Sequence, residues 1–302
     1  MDETVRAVSS RSRVAVMSVE TRRNFGTVRV PAGLNGLLPA LILIMLFFVI
    51  PVLALLLRSV TEPEPGLQNY AALLGDGTYA RVFFNTFLVA ALVTVATVLV
   101  AFPVAWMLAI MPSGLASIIF GIIILSMWTN LLTRTYAWMV LLQRTGVINR
   151  TLMTIGVIDH PLPLINNLTG VTIGMVYIML PFMILPLVGT LRAIDPMTLR
   201  AASLCGASPF QAFRRILVPL SLPGVAAGGL MVFVMSLGYF VTPALLGGTS
   251  NMMLAEMIAQ MVQSLLNWGL GSAAAFILLV VTMVLYALQL RLVGARRTSG
   301  GI

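Results

Sequence analysis

The feature that most constrains this chain is a series of apolar runs, each long enough to cross the hydrocarbon core of a bilayer, which takes roughly 20 residues. Such runs occur at about 34 to 57, 83 to 110, 115 to 142, 168 to 191, 217 to 245 and 268 to 290. Strands of a membrane barrel would alternate in segments of about 10 residues, and the continuous run LLPALILIMLFFVIPVLALLL does not alternate. The sequence therefore predicts an all-α membrane protein with six transmembrane helices.

The composition agrees with a membrane protein and excludes several kinds of chemistry. Of 302 residues, 59% are hydrophobic and only 9% are charged, which is too little polar surface for a soluble domain of this size. With Cys205 and His160 as the single cysteine and histidine, we expect no multi-ligand metal site, and we predict no catalytic residue. The chain contains no lysine, so it cannot form a normal Walker A phosphate loop, and an ATP-driven step must belong to another protein.

The arginines predict the orientation in the membrane. Counting six crossings from the N-terminus places 13 of the 18 basic residues on one face, in the tail 1–33, the loop 192–215 and the end after 290. Short loops rich in arginine stay in the cytoplasm, so we predict that both termini and the 192–215 loop are cytoplasmic. The high pI then follows from topology, and we expect no nucleic-acid partner.

The loop between the fourth and fifth runs has the signals of two short helices. Asp195 before Pro196 is typical of an N-cap and a first helical residue, and Gly206 suits the end of that helix. Ser208 and Pro209 begin a second helix by the same pattern. The sequence thus predicts a helix, a turn and a helix.

Each short helix carries an apolar face, and the chain is expected to bend into the fifth membrane helix at Pro219 and Pro223. The predicted faces consist of Met197, Ala201 and Leu204 on the first helix and of Phe210, Phe213 and Ile216 or Leu217 on the second. Such faces pack either under the chain's own bundle or on another protein. Spacing alone favours neither alternative.

Residues 200 to 224, RAASLCGASPFQAFRRILVPLSLPG, resemble the EAA loop of bacterial ABC importer permeases, including the Pro223-Gly224 ending. In that family the loop is the coupling helix that sits in a cleft of the ATPase subunit. The resemblance implies a coupling role for Arg200, Ala201, Ala202, Gly206, Ala207, Phe213, Ile216 and Pro219. Arg200 stands where the family has a glutamate, so a charge contact with the ATPase has the opposite sign here.

Further segments extend the resemblance over about 81 to 292. FNTFLVAALVTVATVLVAFPVAWMLA (84–109) is similar to the start of the permease core. Residues 127–152, GYFVTPALLGG (238–248) and NWGLGSAAA (267–275) resemble the spermidine/putrescine branch, permease component I. The resemblance implies the type I importer permease fold in the bacterial inner membrane.

The implied organisation has four parts. Residues 1–33 form a cytoplasmic tail, 34–80 the first membrane helix and an external loop, 81–292 the permease core, and 293–302 a second cytoplasmic tail. The resemblance implies two ABC ATPase subunits, a second permease, an extracytoplasmic binding protein and polyamine cargo. The subunit itself is expected to be no enzyme and to bind no cofactor, because ATP is used by the partner ATPase.

Aromatic side chains and one arginine are candidates for the translocation path or its gate. Rings attract ammonium groups through cation–π interactions, and an ionisable residue at membrane depth is a functional candidate. The candidates are Trp128, Arg134, Tyr136, Trp138, Tyr177, Tyr239 and Phe240. Packing and interface anchoring are the alternative roles for these residues.

Two alternatives to a polyamine importer remain open. The same type of importer could carry an opine-like amine or a phosphonate, or the chain could be a stand-alone channel or secondary carrier. The predicted membrane runs contain no Asp or Glu, which disfavours a proton-coupled carrier.

In the fifth run, Gly224 and Gly228 lie four residues apart and predict a close approach between helices.

Overall fold

The computed structural model describes the backbone of residues 34–248 and 251–299 and the side chains of residues 37–248 and 251–288. These residues form helices joined by turns, without a β-strand in the described ranges. The helices are α1 (Leu34–Ile44), α2 (Ile50–Thr61), α3 (Gln68–Gly75), α4 (Gly77–Ile110), α5 (Ser113–Met127), α6 (Leu131–Leu142), α7 (Val147–Thr154), α8 (Leu168–Arg192), α9 (Pro196–Leu204), α10 (Pro209–Ala212), α11 (Val218–Leu237), α12 (Val241–Leu246), α13 (Leu254–Gln263) and α14 (Trp268–Ser299). Two π-helical segments, Met45–Val49 and Phe213–Leu217, join α1 to α2 and α10 to α11.

The chain divides at Pro51 into two units. In the first, the described residues 34–51 form α1, the π-helical segment and the start of α2, and side chains such as Phe47 are largely exposed. The second unit, Val52–Ile302, contains the helices that pack into cores. The predicted tail 1–33 lies outside the described residues.

Five helical spans in the described ranges are long and apolar enough to cross a membrane, and a sixth is broken. They are Leu37–Thr61, Gly77–Ile110, Leu168–Arg192, Pro209–Leu237 and Trp268–Leu288. The sixth is the pair Ser113–Met127 and Leu131–Thr154, which bends by 97°. The all-α membrane fold is confirmed, and the count of six holds when the bent pair is taken as one span.

The prediction of one continuous third helix over 115 to 142 is wrong. With 15 residues, α5 is about 22 Å long, which is shorter than a bilayer core of about 30 Å. The Asn130 side chain accepts hydrogen bonds from the backbone N–H groups of Leu132 and Thr133, so a new helix begins there. Ser126 and Thr129 donate to carbonyls of the preceding turn, of Ile123 and Ser126 respectively, and so satisfy backbone groups at the break.

The prediction for the fifth helix, 217 to 245, is wrong at both ends. The helical span begins at Pro209 and ends at Leu237. Gly238 caps α11, and the chain continues through Tyr239 and Phe240 into the short helix α12. The last helix, α14, runs to Ser299 and so passes the predicted end at 290.

The main core lies where α8 packs against α4 and α11. Large side chains of α8, among them Met175, Met179 and Leu187, are fully buried. A Cβ atom added at Gly224 would lie 2.5 Å from Thr190 Oγ1, and one at Gly228 would lie 2.6 Å from Met183 Sδ. The predicted close approach at these two glycines is confirmed, and it is made between α11 and α8.

A second core joins α3, α4, α13 and α14. Leu73, Leu254 and Ala273 are buried in it, and the Leu254 N–H donates a 2.8 Å hydrogen bond to Thr86 Oγ1 on α4. Asn69 Nδ2 donates to the carbonyls of Ser59 and Glu62 and so ties α3 to the end of α2. The polar links satisfy backbone groups where the helices end.

We expect Gly228→Leu to lower the stability of the helix bundle by about 1 to 3 kcal/mol, because the added atoms overlap Met183 on α8. The measurement is the thermal unfolding midpoint in detergent. Gly189→Leu on α8 is the matched control, because nothing lies within 4 Å of a Cβ at that position. Equal midpoints for the two variants would contradict the proposed close packing.

Candidate functional site

The first helix of the 192–215 loop, α9, has the predicted capping groups at both ends. Asp195 Oδ1 accepts a 2.8 Å hydrogen bond from the Met197 N–H, and Pro196 is the first helical residue. At the other end Gly206 has φ +84°, and the Ala207 N–H donates to the Ala202 carbonyl. Both predictions from the sequence are confirmed.

The second helix begins with reciprocal hydrogen bonds between Ser208 and Gln211. The Gln211 N–H donates to Ser208 Oγ, while the Ser208 N–H donates to Gln211 Oε1. This capping box satisfies two backbone N–H groups that a helix start otherwise leaves without a partner. The predicted start of the helix at Ser208 and Pro209 is therefore confirmed.

The predicted bend at Pro219 and Pro223 is replaced by continuous helix. In the segment Phe213–Leu217 the hydrogen bonding shifts to the π pattern, and the Val218 N–H donates to the Phe213 carbonyl. The wider turn accommodates Pro219, whose missing N–H cannot take part in the regular α-helical ladder. The second helix of the 192–215 loop thus continues, in one helical span, into the membrane helix α11.

Phe213 anchors the second helix to α4. Its ring centroid lies 5.7 Å from that of Phe102 and 5.7 Å from that of Trp106. Phe210 points away and is 69% exposed. The predicted grouping of Phe210 with Phe213 on one face is therefore wrong, because the ring contacts of Phe213 direct it toward the bundle.

The outward side of the loop exposes three large apolar side chains. Leu204 is 90% exposed, and Met197 and Phe210 are also exposed. Of the eight candidate coupling residues, Arg200, Ala201, Gly206 and Pro219 are exposed, whereas Ala202, Ala207, Phe213 and Ile216 are partly buried. The loop consequently has an anchored inner side and an outer side on which apolar residues are exposed among polar ones.

Arg192 makes a further connection that the sequence reasoning assigned only to topology. Its Nη2 donates a 3.2 Å hydrogen bond to the Leu108 carbonyl near the end of α4. Arg192 is the last residue of α8, and a basic residue at a helix C-terminus was the available signal. This hydrogen bond connects the start of the loop to α4, the helix whose rings also contact Phe213.

The second group of candidates lies around α6, α8 and α12. Trp138 on α6 contacts Tyr177 on α8, with ring centroids 5.5 Å apart. Thr135 and Thr242, both buried, bring their Oγ1 atoms to 3.4 Å and so join α6 to α12. These contacts bring two of the predicted pathway aromatics together.

Arg134 is partly buried, and its Nε atom is buried without a hydrogen-bond partner in the described part of the chain. Its guanidinium interacts electrostatically with the Tyr239 phenol in the α11–α12 connection. The other candidates, Trp128, Tyr136 and Phe240, are exposed and make no ring contact within the described residues.

Glu256 is a buried acidic residue that does not belong to the predicted candidates. It lies on α13, is 8% exposed, and its Oε2 atom has no hydrogen-bond partner among the described residues. Burial raises the pKa of its carboxyl above the ordinary value, while a hydrogen bond from the Met253 backbone acts in the opposite direction. The amphipathic pattern LAEMIAQMVQ was a signal for this helix, but it does not indicate the burial of its acid.

The fold is that of a membrane protein in which a capped loop of two short helices connects two membrane-spanning helices. Residues 118–298 match the model of the family described as binding-protein-dependent transport system inner membrane component. The chain belongs to this family, and it is therefore a multi-pass inner-membrane permease component of a transport system.

Two relatives and one solved structure illustrate the similarity. The chain is 35% identical to the spermidine/putrescine transport system permease protein PotB of Salmonella typhimurium (strain SL1344), over 71% of this chain and 75% of the relative. It is 34% identical to the inner membrane ABC transporter permease protein YdcU of Escherichia coli (strain K12), over 78% of each chain. A bacterial alginate ABC transporter, crystallised with an alginate pentasaccharide-bound periplasmic protein, contains a chain with TM-score 0.69 and 18% identity, covering 88% of this chain and 94% of that one. The solved structure shows that the fold is shared.

We expect Gly206→Val to destabilise the loop by about 1 to 2 kcal/mol, because a β-branched side chain is strained at φ +84°. Open space surrounds the position, so backbone strain and not a steric clash is the cause. Hydrogen exchange of residues 196–208 is the measurement, with Gly206→Asn as the milder control. Equal exchange in the Val and Asn variants would contradict this reason.

Proposed function

We propose that this chain is one half of the pore of an ATP-driven importer for polyamines of the spermidine or putrescine type. The observation that carries the proposal is the combination of an exposed apolar loop with 35% identity to a spermidine/putrescine permease. The complete transporter contains a second permease, two ABC ATPases and an external binding protein. Both termini and the 192–215 loop lie in the cytoplasm, as the arginine distribution indicates.

The loop couples the ATPase to the pore by docking through its outer side. Met197, Leu204 and Phe210 supply exposed apolar surface that an ATPase cleft can cover. Phe213, held by Phe102 and Trp106, transmits movement of the loop to α4. Because α10 continues through the π-helical segment into α11, the same movement also displaces a membrane helix.

Arg200 changes the charge that the loop presents to its ATPase. It is exposed on α9, and no salt bridge to it occurs within the described residues. The resemblance places a glutamate at this position, so an ATPase adapted to this permease presents an acidic or neutral group there. ATP hydrolysis is carried out by that partner, since this chain has no lysine for a Walker A loop.

The pathway for the cation runs along the aromatic contacts on α6, α8 and the α11–α12 connection. Trp138 and Tyr177 offer ring faces to an ammonium group. Arg134 is unsuited to bind a cation directly and instead acts at a gate through its interaction with Tyr239. Substrate selection also involves the external binding protein, which receives the polyamine first.

We expect Leu204→Asp combined with Phe210→Asp to abolish co-purification of the ATPase from membranes in mild detergent, because charges replace the apolar contact. The second permease should still co-purify, since the bundle residues are unchanged. Leu74→Asp is the matched control, because Leu74 is an exposed leucine on α3, far along the chain from the loop. Retention of the ATPase by the double variant would show that the loop is not the docking element.

We expect cells that express the complete transporter to take up labelled spermidine, and Trp138→Ala to reduce this uptake at least about tenfold while ATPase binding persists. Competition by unlabelled putrescine, an opine and an aminophosphonate distinguishes the cargo alternatives. Uptake inhibited by the phosphonate and unaffected by putrescine would contradict the polyamine assignment. Transport by the chain alone, without an ATPase, would contradict the importer assignment.

A further inference from the structure

An apolar groove opens between α4 and the α10–α11 span on the side of the coupling loop. It has a volume of about 420 Å³, and Phe102 and Trp106 form one wall while Phe213 forms its end. Leu99 at its margin is 70% exposed, so the groove is open to the surroundings of the chain. The single hydroxyl in its lining, that of Ser221, donates to the Val218 carbonyl of its own helix.

The groove lies near the end of α4 that contacts the start of the 192–215 loop. On α4 its lining runs from Val98 to Trp106, and α4 ends at Ile110. At 1.5 Å per residue, the lining begins about 6 Å and ends about 18 Å from that end of the helix. An extended hydrocarbon chain lying along this part of α4 would contact Phe102 and Trp106.

Two exposed arginines follow the groove residue Phe213 in the chain. Arg214 and Arg215 directly follow Phe213 in the π-helical segment. The sequence from 196 to 237 contains no Asp or Glu, and no salt bridge to either arginine occurs within the described part of the chain. Neither guanidinium group therefore has an acidic partner from its own helices in the described part of the chain.

We propose that this groove binds one acyl chain of an anionic phospholipid whose phosphate is held by Arg214 and Arg215. Arginine binds phosphate oxygens through paired N–H donors, and basic sites beside membrane helices attract anionic headgroups. An apolar helix of another protein could cover the groove, but it would leave both arginines without a counter-charge. A phospholipid matches both halves of the site, and its binding depends neither on the cargo nor on the ATPase of the proposed function.

The test uses the full chain purified in detergent and two lipids with identical chains, phosphatidylglycerol and phosphatidylcholine. Native mass spectrometry measures the lipid retained, and we expect a preference of at least about fivefold for phosphatidylglycerol. Arg214→Gln with Arg215→Gln should abolish the preference. Arg144→Gln with Arg150→Gln is the matched control, because both arginines are exposed and lie on the connection between α6 and α8. This control should retain the preference.

The position of the acyl chain is measured through Trp106, which lines the groove. Lipids brominated on the chain quench nearby indoles, and the difference between the native chain and Trp106→Phe isolates the signal of Trp106. We expect stronger quenching by brominated phosphatidylglycerol than by brominated phosphatidylcholine. Val225→Phe narrows the groove and should reduce the quenching while the arginines are unchanged. If the variant with both arginines replaced does not fold, the comparison of the two brominated lipids on the native chain and on Trp106→Phe still tests whether the groove prefers the anionic lipid.

Three results would overturn the proposal. Equal retention of the two lipids would show that the arginines do not select a headgroup. Displacement of the lipid by inorganic phosphate alone would show an anion site without an acyl component. Photo-crosslinking from position 222, at the rim of the groove, to a second permease in the complete transporter would show that protein and not lipid covers this surface.

Discussion

The structure depends on the packing of α8 between α4 and α11, because lipid offers little hydrophobic force to hold membrane helices together. Close contact must supply the stability, and it requires small residues where helices meet. A Cβ atom at Gly224 or Gly228 of α11 would lie 2.5 or 2.6 Å from side-chain atoms of Thr190 or Met183 of α8, so a larger residue would force these neighbours to shift. The buried methionines of α8 fill the remaining space with flexible side chains, which suits a bundle whose helices have to move.

The coupling loop is attached to this packed unit at both of its ends. Arg192, at the end of α8, donates to the Leu108 carbonyl of α4, and Phe213 packs on two rings of the same helix. The loop therefore contacts α4 and is also continuous with α11. The capped ends of α9 and α10 preserve the helices themselves, so the loop responds as a unit and not by local unfolding.

The parts that the sequence predicted well are those determined by neighbouring residues along the chain. Asp195, Gly206 and Ser208 have the expected roles because capping requires only a side chain and nearby backbone N–H groups or a positive φ angle. The π-helical segment was not predicted, because Pro219 alone indicates a bend and the compensating hydrogen bond becomes visible only in three dimensions. The burial of Glu256 and the inward direction of Phe213 depend on helices distant in sequence, so no local pattern contains them.

The broken third span shows how a local signal creates the candidate pathway. The apolar run predicted over 115 to 142 includes Thr129 and Asn130. The Asn130 side chain nevertheless caps a new helix there and makes a turn of 97° possible. Unpaired backbone at membrane depth is tolerated only where other groups satisfy it, and here Ser126, Thr129 and Asn130 provide those hydrogen bonds. The turn directs α6 onto α8 and α12, where Trp138 meets Tyr177. A continuous helix would carry Trp138 farther along the axis of α5, so the break itself assembles this part of the site.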